Sequence, residues 1–315
     1  MPAVSASAPG KIILFGEHAV VYRRPAIAIP VHQVQAKAII LANPKGQPGE
    51  VKLQAPAIQL EAWLADLPMT HPLAKAIALV KEHYQIATIP ACTIRITSTI
   101  PVASGLGSGA AVSVALLRAL STFLGHPLPN ERVTSLAYEV EKIHHSNPSG
   151  IDNTVITFEQ PIFFIRNRPF ELLQTGANLT FLIADTGVKS STAEAVNSVR
   201  RNWQANESKY EAMFDSIGRI ALEARDVIEH DPSDRLGDLM TRNQVLLKEM
   251  GVSSPELDNL VEAALNSGAL GAKLSGGGLG GNMIALAPPE KVDTVKDALL
   301  HSGAANVIIT HLKKS

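Results

Sequence analysis

The segment PVASGLGSGA, residues 101–110, places three glycines and two serines within positions 104–109. No other feature restricts the fold of this chain as much. Ahead of it, residues 91–99 alternate, with Cys92, Ile94 and Ile96 on one face and Thr93, Arg95 and Thr97 on the other. That is the period of a half-buried strand. Behind it, Val112, Ala115, Leu116, Ala119, Leu120 and Phe123 recur at helical spacing, and Gly125 and Pro127 close the run. The unit reads as strand, glycine-rich loop, helix. Backbone amides laid bare at a helix N-terminus suit a phosphate-like anion. Ser104 and Ser108 add hydroxyls that can reach a phosphate or a metal. The loop lacks the Gly-x-x-x-x-Gly-Lys-Ser/Thr pattern, and glycines at 105, 107 and 109 do not fit Gly-x-Gly-x-x-Gly. The plain alternative is a tight strand-to-helix turn.

The remaining pattern mixes strands and helices. Residues 11–15 and 26–41 read as strands, 44–49 as a turn cluster and 72–83 as a helix. A further helix is expected from Asn130, as N-cap, to His145, with Val133, Leu136, Ala137, Val140 and Ile143 buried. Asn147-Pro148-Ser149-Gly150 breaks it. Strands are expected at 154–158, 162–165 and 179–184. From Ser191 to Ser267 the pattern is almost wholly helical, with Ile217, Ile220, Ala221, Ala224, Val227 and Ile228 as one stripe. A second cluster, Gly276-Gly277-Gly278-Leu279-Gly280-Gly281, precedes strands at 284–287 and 306–311. A boundary near 168–178 divides the chain into residues 1–172 and 173–315.

Composition narrows the class. The chain has 315 residues, 46% hydrophobic, and a net charge of −1. That balance offers no footprint for nucleic acid or a membrane surface. The single cysteine, Cys92, rules out an intramolecular disulfide and reads as a small core residue. The start lacks a basic and apolar leader pattern, and no uncharged apolar run reaches about 18 residues. A soluble cytoplasmic α+β protein is expected.

Three constellations accompany the loop. Glu141 sits at the edge of a buried helical stripe, where a carboxylate must be paired, solvated or metal-bound. Asp152 follows the Asn-Pro-Ser-Gly break. One carboxylate to hold Mg²⁺ and one to orient a nucleophile is the set that phosphoryl transfer needs; an ion pair and an Asx-type turn are the plainer readings. Lys11, Glu17 and His18 bracket the apolar strand Ile12–Phe15, in positions a solvated strand end and an ordinary loop also explain. His18, His144 and His145 lack the spacing of a zinc set. Lys273–Asn282 reads as a flexible turn, yet five glycines in six residues also permit close approach to a ligand or to the first loop.

Together these segments resemble the GHMP kinase superfamily and, within it, the mevalonate kinase family, across nearly the whole chain. The resemblance rests on Pro9-Gly10-Lys11 through Gly16-Glu17-His18-Ala19-Val20, on residues 101–111 and on Lys273–Gly281. Asn147–Asn153, Asp185–Thr192, Asn243-Gln244 and Gly251-Val252-Ser253 extend it. It implies a two-domain α+β fold with the active site in the interdomain cleft, and a chain that uses ATP and Mg²⁺ on mevalonate. Ser98, Pro101, Ala103, Ser104, Gly105, Leu106, Gly107, Ser108 and Gly109 would lie along the nucleotide. Glu141 and Ser108 would hold Mg²⁺, with Glu141 eleven residues before Asp152 as in the family. Asp152 would serve as base, and Lys11 would keep it ionised and stabilise the transferring phosphoryl group. Glu17, His18 and Thr192 would face the substrate. No nucleic-acid or membrane partner is implied, and a homodimer is compatible with the pattern.

Two positions depart from the family pattern. Gly109 stands where the family usually carries a second serine that ligates Mg²⁺. Leu279 replaces a glycine and Gly277 an alanine in the third motif. The rival readings are a kinase of this fold acting on another small alcohol or a phosphorylated mevalonate derivative, and a nucleotide-binding regulator without catalysis. His18 in its motif argues against the first, and Lys11, Glu141 and Asp152 against the second.

Overall fold

The computed structural model describes residues 3–101, 104–143, 148–189, 191–230 and 234–314, and structural statements here concern those residues. The chain forms two compact units, each built from more than one segment. One takes Met1–Gly10, Val34–Pro101 and Gly107–Glu159; the other takes Lys11–Gln33, Val102–Leu106 and Gln160–Ser315. Two long strands, β1 (Ala3–Phe15) and β2 (Ala26–Ala42), run through both units and pair with each other.

In the first unit, β3 (Val51–Ala55) pairs antiparallel with β4 (Leu60–Trp63). The later half of β2 pairs antiparallel with β5 (Cys92–Ser98), which lies parallel to β3. The β5 alternation holds: Cys92, Ile94 and Ile96 are buried while Arg95 and Thr97 face solvent. Burial pushes the Cys92 thiol up to about 11, as suits a core side chain. The hairpin β3–β4 was not anticipated, although Val51, Leu53 and Ala55 alternate with Lys52 and Gln54 as a half-buried strand does.

Helices α1 (Pro72–Tyr84), α2 (Ser108–Phe123), α3 (Asn130–Glu141) and α4 (Ile151–Phe158) pack against one another in this unit. Pro129, not Asn130, caps α3, and the Asn130 side chain accepts from Arg118 Nη2 at 3.3 Å. The strand expected at 154–158 is instead α4. Gly150, at φ 91°, opens that helix, and Thr154 Oγ1 donates to the Gly150 carbonyl at 2.7 Å. The β-branched run Thr154–Thr157 is buried on every side, so packing overrides its extended preference. Helix α3 ends at Glu141, short of the expected end; His144, His145 and Asn147 fall outside the described residues.

In the second unit, the early half of β2 pairs with β6 (Ile162–Phe164), which pairs with β7 (Glu171–Leu172). A separate antiparallel sheet runs β11–β8–β10–β9, from β8 (Leu179–Asp185), β9 (Gly271–Ser275), β10 (Asn282–Ala287) and β11 (Asn306–Leu312). Helices α5 (Thr192–Ala205), α6 (Glu207–His230), α7 (Asp234–Glu249), α8 (Pro255–Asn266) and α9 (Val292–His301) complete it. Phe214 and Ile217 of α6, Leu257 and Leu260 of α8, and Ala272, Leu274, Met283 and Ala285 of the sheet share one core. All six residues of the expected α6 stripe are buried.

Candidate active site

The glycine loop begins where β5 ends. Ser98, the last residue of β5, accepts from the Ile100 amide at 3.1 Å through its Oγ. Gly105 and Gly107 take φ of 80° and 74°, the left-handed region that favours glycine. Gly107 is the N-cap of α2, so the amides of the helix's first turn point out of its N-terminus. Ser108 is half-buried and Gly109 exposed at this turn. Pro101 is half-buried, and Ala103 lies outside the described residues.

The first unit also positions both carboxylates. Glu141, last residue of α3, is buried. A Cβ on Gly109 would stand 3.5 Å from its Oε1, so the start of α2 faces the end of α3. Asp152 lies in the first turn of α4. Its neighbour Asn153 is buried and donates from Nδ2 to Thr134 Oγ1 at 2.8 Å and to the Thr134 carbonyl at 3.0 Å. That amide ties the N-terminus of α4 to α3 and fixes where Asp152 emerges. Among the described residues no three His, Cys, Asp or Glu side chains gather as a metal-binding group. The oxygens of Glu141 and Ser108 are nonetheless the hard donors that Mg²⁺ takes, alongside water and phosphate.

The second unit carries the other half of the expected residues. Lys11 is buried, and its backbone amide donates to the Leu106 carbonyl at 3.0 Å. Ser104 is buried, and its carbonyl accepts from Asn282 Nδ2 at 2.5 Å. Gly16, at φ 93°, backs onto Ala26, whose Cα would be 2.5 Å from an added Cβ; no other residue fits there. The chain then presents Glu17 and His18. His18 has φ 58° and ψ −48°, outside the regions non-glycine residues favour. It caps a short 3₁₀ turn, Ala19–Tyr22, anchored where the Tyr22 ring stacks on Phe214 at 4.1 Å.

His18 is buried, with Nε2 2.9 Å from the Gly277 carbonyl. A carbonyl only accepts, so Nε2 carries the proton and Nδ1 the lone pair. Burial, partly offset by that bond, pulls the ring down to about 4, so it is neutral near pH 7. The Glu17 side chain is also wholly buried. Its carboxylate pairs with Lys273 Nζ and accepts from Asn243 Nδ2 at 3.0 Å. Burial lowers the Lys273 pKa, and the Glu17 carboxylate counters that. Removing one partner of such a pair costs about 3–5 kcal/mol, because the other charge is stranded. Thr192, exposed at the start of α5, lies against the second glycine cluster; a Cβ on Gly277 would be 3.2 Å from its Cα.

That cluster is shaped by close approach. Gly278, at φ 75°, passes so near Val252 that a Cβ would be 2.0 Å from its carbonyl oxygen. Leu279 adopts φ 60° and its amide donates to the same carbonyl at 2.8 Å. A Cβ on Gly276 would lie 3.9 Å from the Gly105 carbonyl, so the two glycine clusters meet. Sequence reasoning left Lys273, Asn243 and Asn282 without specific roles. The available signal was a lone lysine in the apolar strand Gly271–Ser275 and an Asn-Gln pair inside a helix.

Comparison with known proteins gives a family. Residues 72–160 match the model of the GHMP kinases N terminal domain, and residues 225–305 that of the GHMP kinases C terminal. The chain is 36% identical to the mevalonate kinase of Thermococcus sibiricus and 37% identical to that of Thermococcus onnurineus. Each alignment spans 97% of this chain and 95% of the relative. The chain belongs to the mevalonate kinase family. A member of that family, the L. major mevalonate kinase in complex with R-mevalonate, matches with a TM-score of 0.83 at 30% identity, over 99% of this chain and 96% of that one. The two-domain GHMP kinase fold implied by the sequence is the fold of this mevalonate kinase family member.

Proposed function

We propose that this chain transfers the γ-phosphoryl group of ATP to the C5 hydroxyl of mevalonate. The observation that carries this reading is the end-to-end match to mevalonate kinases, at 36–37% identity over 97% of the chain. The likeness to a structure solved with R-mevalonate supports the substrate. The phosphates lie along Ser104–Gly109, with Ser98, Pro101 and Ala103 on the nucleotide side. Residues 1–172 and 173–315 are read as the two functional domains, with the family matches on either side of that division; the compact units differ from it, since Lys11–Gln33 and residues 160–172 group with the second unit. Among the described residues no helix is long and apolar enough to cross a membrane.

Asp152 orients the C5 hydroxyl and accepts its proton. A carboxylate is far too weak a base to form a free alkoxide, so the proton leaves late, once bonding to phosphorus is under way. Lys11 stabilises charge on the transferring group, as do the first-turn amides of α2. Glu141 and Ser108 would hold Mg²⁺, which when bound would neutralise phosphate charge. Gly109 supplies no hydroxyl, so Ser108, a water or Glu141 would take up more of that task. His18 and Thr192 face the substrate; Glu17, expected beside them, is held by Lys273 and Asn243.

The test is ADP release with mevalonate, galactose, homoserine and phosphomevalonate. Mevalonate alone is expected to support turnover; equal rates across the panel would refute the substrate. In the same assay Asp152→Asn is expected to abolish turnover and leave affinity for an ATP analogue intact. Near-normal turnover would remove Asp152 as the base.

A further inference from the structure

Lys273 stands in the middle of β9, where every residue is buried, and its side chain has no exposure to solvent. An ammonium is costly in such a place and persists there only with partners that fix it. Its partners are the Glu17 carboxylate and the Leu274 carbonyl, at 2.6 Å. Asn243, wholly buried on α7, takes the second Glu17 oxygen with Nδ2, although its own Oδ1 has no partner among the described residues. Both oxygens of Glu17 are therefore held. Gln244, next along α7, accepts from the Leu274 amide at 2.9 Å and fastens β9 in place.

The residue after Glu17 is His18, with its unfavourable φ and ψ. Such a conformation survives only where the surroundings over-determine it. His18 is anchored to Gly277 and Glu17 to Lys273, four residues apart on one strand and its loop. We infer that Lys273 is a positioning residue: through Glu17 it holds His18 in the backbone conformation and ring orientation that present Nδ1, as a hydrogen-bond acceptor, to the substrate. This rests on the mevalonate reading above.

The variants to compare are Lys273→Met, the double variant Glu17→Gln/Lys273→Met, and the milder Asn243→Ser. Each is measured for KM of mevalonate and of ATP, for the thermal midpoint, and for the ring nitrogens of His18 by NMR. Lys273→Met is expected to raise KM for mevalonate about tenfold or more, to change KM for ATP less than twofold, and to blur the single Nε2–H signature of His18. The double variant strands no charge, so its midpoint recovers while KM for mevalonate stays high. Asn243→Ser, which keeps the ion pair, is expected to raise the same KM by about threefold, and it decides the matter if the other variants do not fold. A recovered midpoint with wild-type KM and a wild-type His18 spectrum would reduce the pair to a fold-holding role, as would equal changes in both KM values. If the wild-type chain does not turn over mevalonate, the substrate reading fails, and the His18 spectrum alone still decides the clamp.

Discussion

Two residues in succession, Glu17 and His18, show how burial assigns chemistry. His18 is neutral because its ring is inside the protein, with a pKa near 4 against about 6.5 when exposed. The unfolded chain therefore binds a proton between these values that the folded chain does not. Stability from this group is full above pH 6.5 and is lost as pH falls to 4, by about 3 kcal/mol. His18→Gln removes that loss. Urea unfolding at pH 7 and pH 4 should show wild type losing about 3 kcal/mol more than the variant; parallel losses would mean the ring is solvated. The motif around His18 was legible in the sequence, but the state of the ring was not. Lys273 was less legible still, because a lysine in a strand ordinarily faces water.

Elements followed their periodicity where one face alone is buried. Strand β5 and helix α6 were readable because their apolar residues repeat at 2 and 3.6. Helix α4 was misread because all its residues but Asp152 and Phe158 are buried, so Thr154–Thr157 offered no period and its β-branched composition pointed the wrong way. A propensity difference of up to about 1 kcal/mol yields to burial worth about 1.5–3 kcal/mol for each large apolar side chain. Close packing of α7 on β9 was equally hidden. A Cβ on Gly237 would be 2.1 Å from the Leu270 carbonyl oxygen, and one on Gly271 would be 2.2 Å from the Gly237 carbonyl oxygen. Gly237→Ala must push helix from strand, and a loss of about 1–3 kcal/mol or more is expected in denaturant unfolding. A neutral result would mean that α7 lies farther from β9. Because α7 also carries Asn243, the same variant is expected to weaken the hold on Glu17.

The whole molecule is a 315-residue chain with near-zero net charge, suited to small ligands rather than to a polyanion. A substrate bound only by the folded chain stabilises it by mass action. Mevalonate at about 100 times its Kd should add about 2.7 kcal/mol and raise the thermal midpoint by several degrees, whereas galactose should not. An unshifted midpoint with mevalonate would deny binding. The sequence by itself determined the order of the motifs, whose resemblance pointed to the family, since glycines that need left-handed backbone and charged residues beside apolar strands are fixed by local chemistry. It also determined the alternation of strands and helices wherever one face was apolar. Only the tertiary structure decided that α4 is a helix, that β1 and β2 run through two units, and that Glu17 is paired with Lys273, 256 residues away. Those outcomes depend on which groups lose their water together, and desolvation is a property of the folded surroundings that no stretch of sequence carries alone.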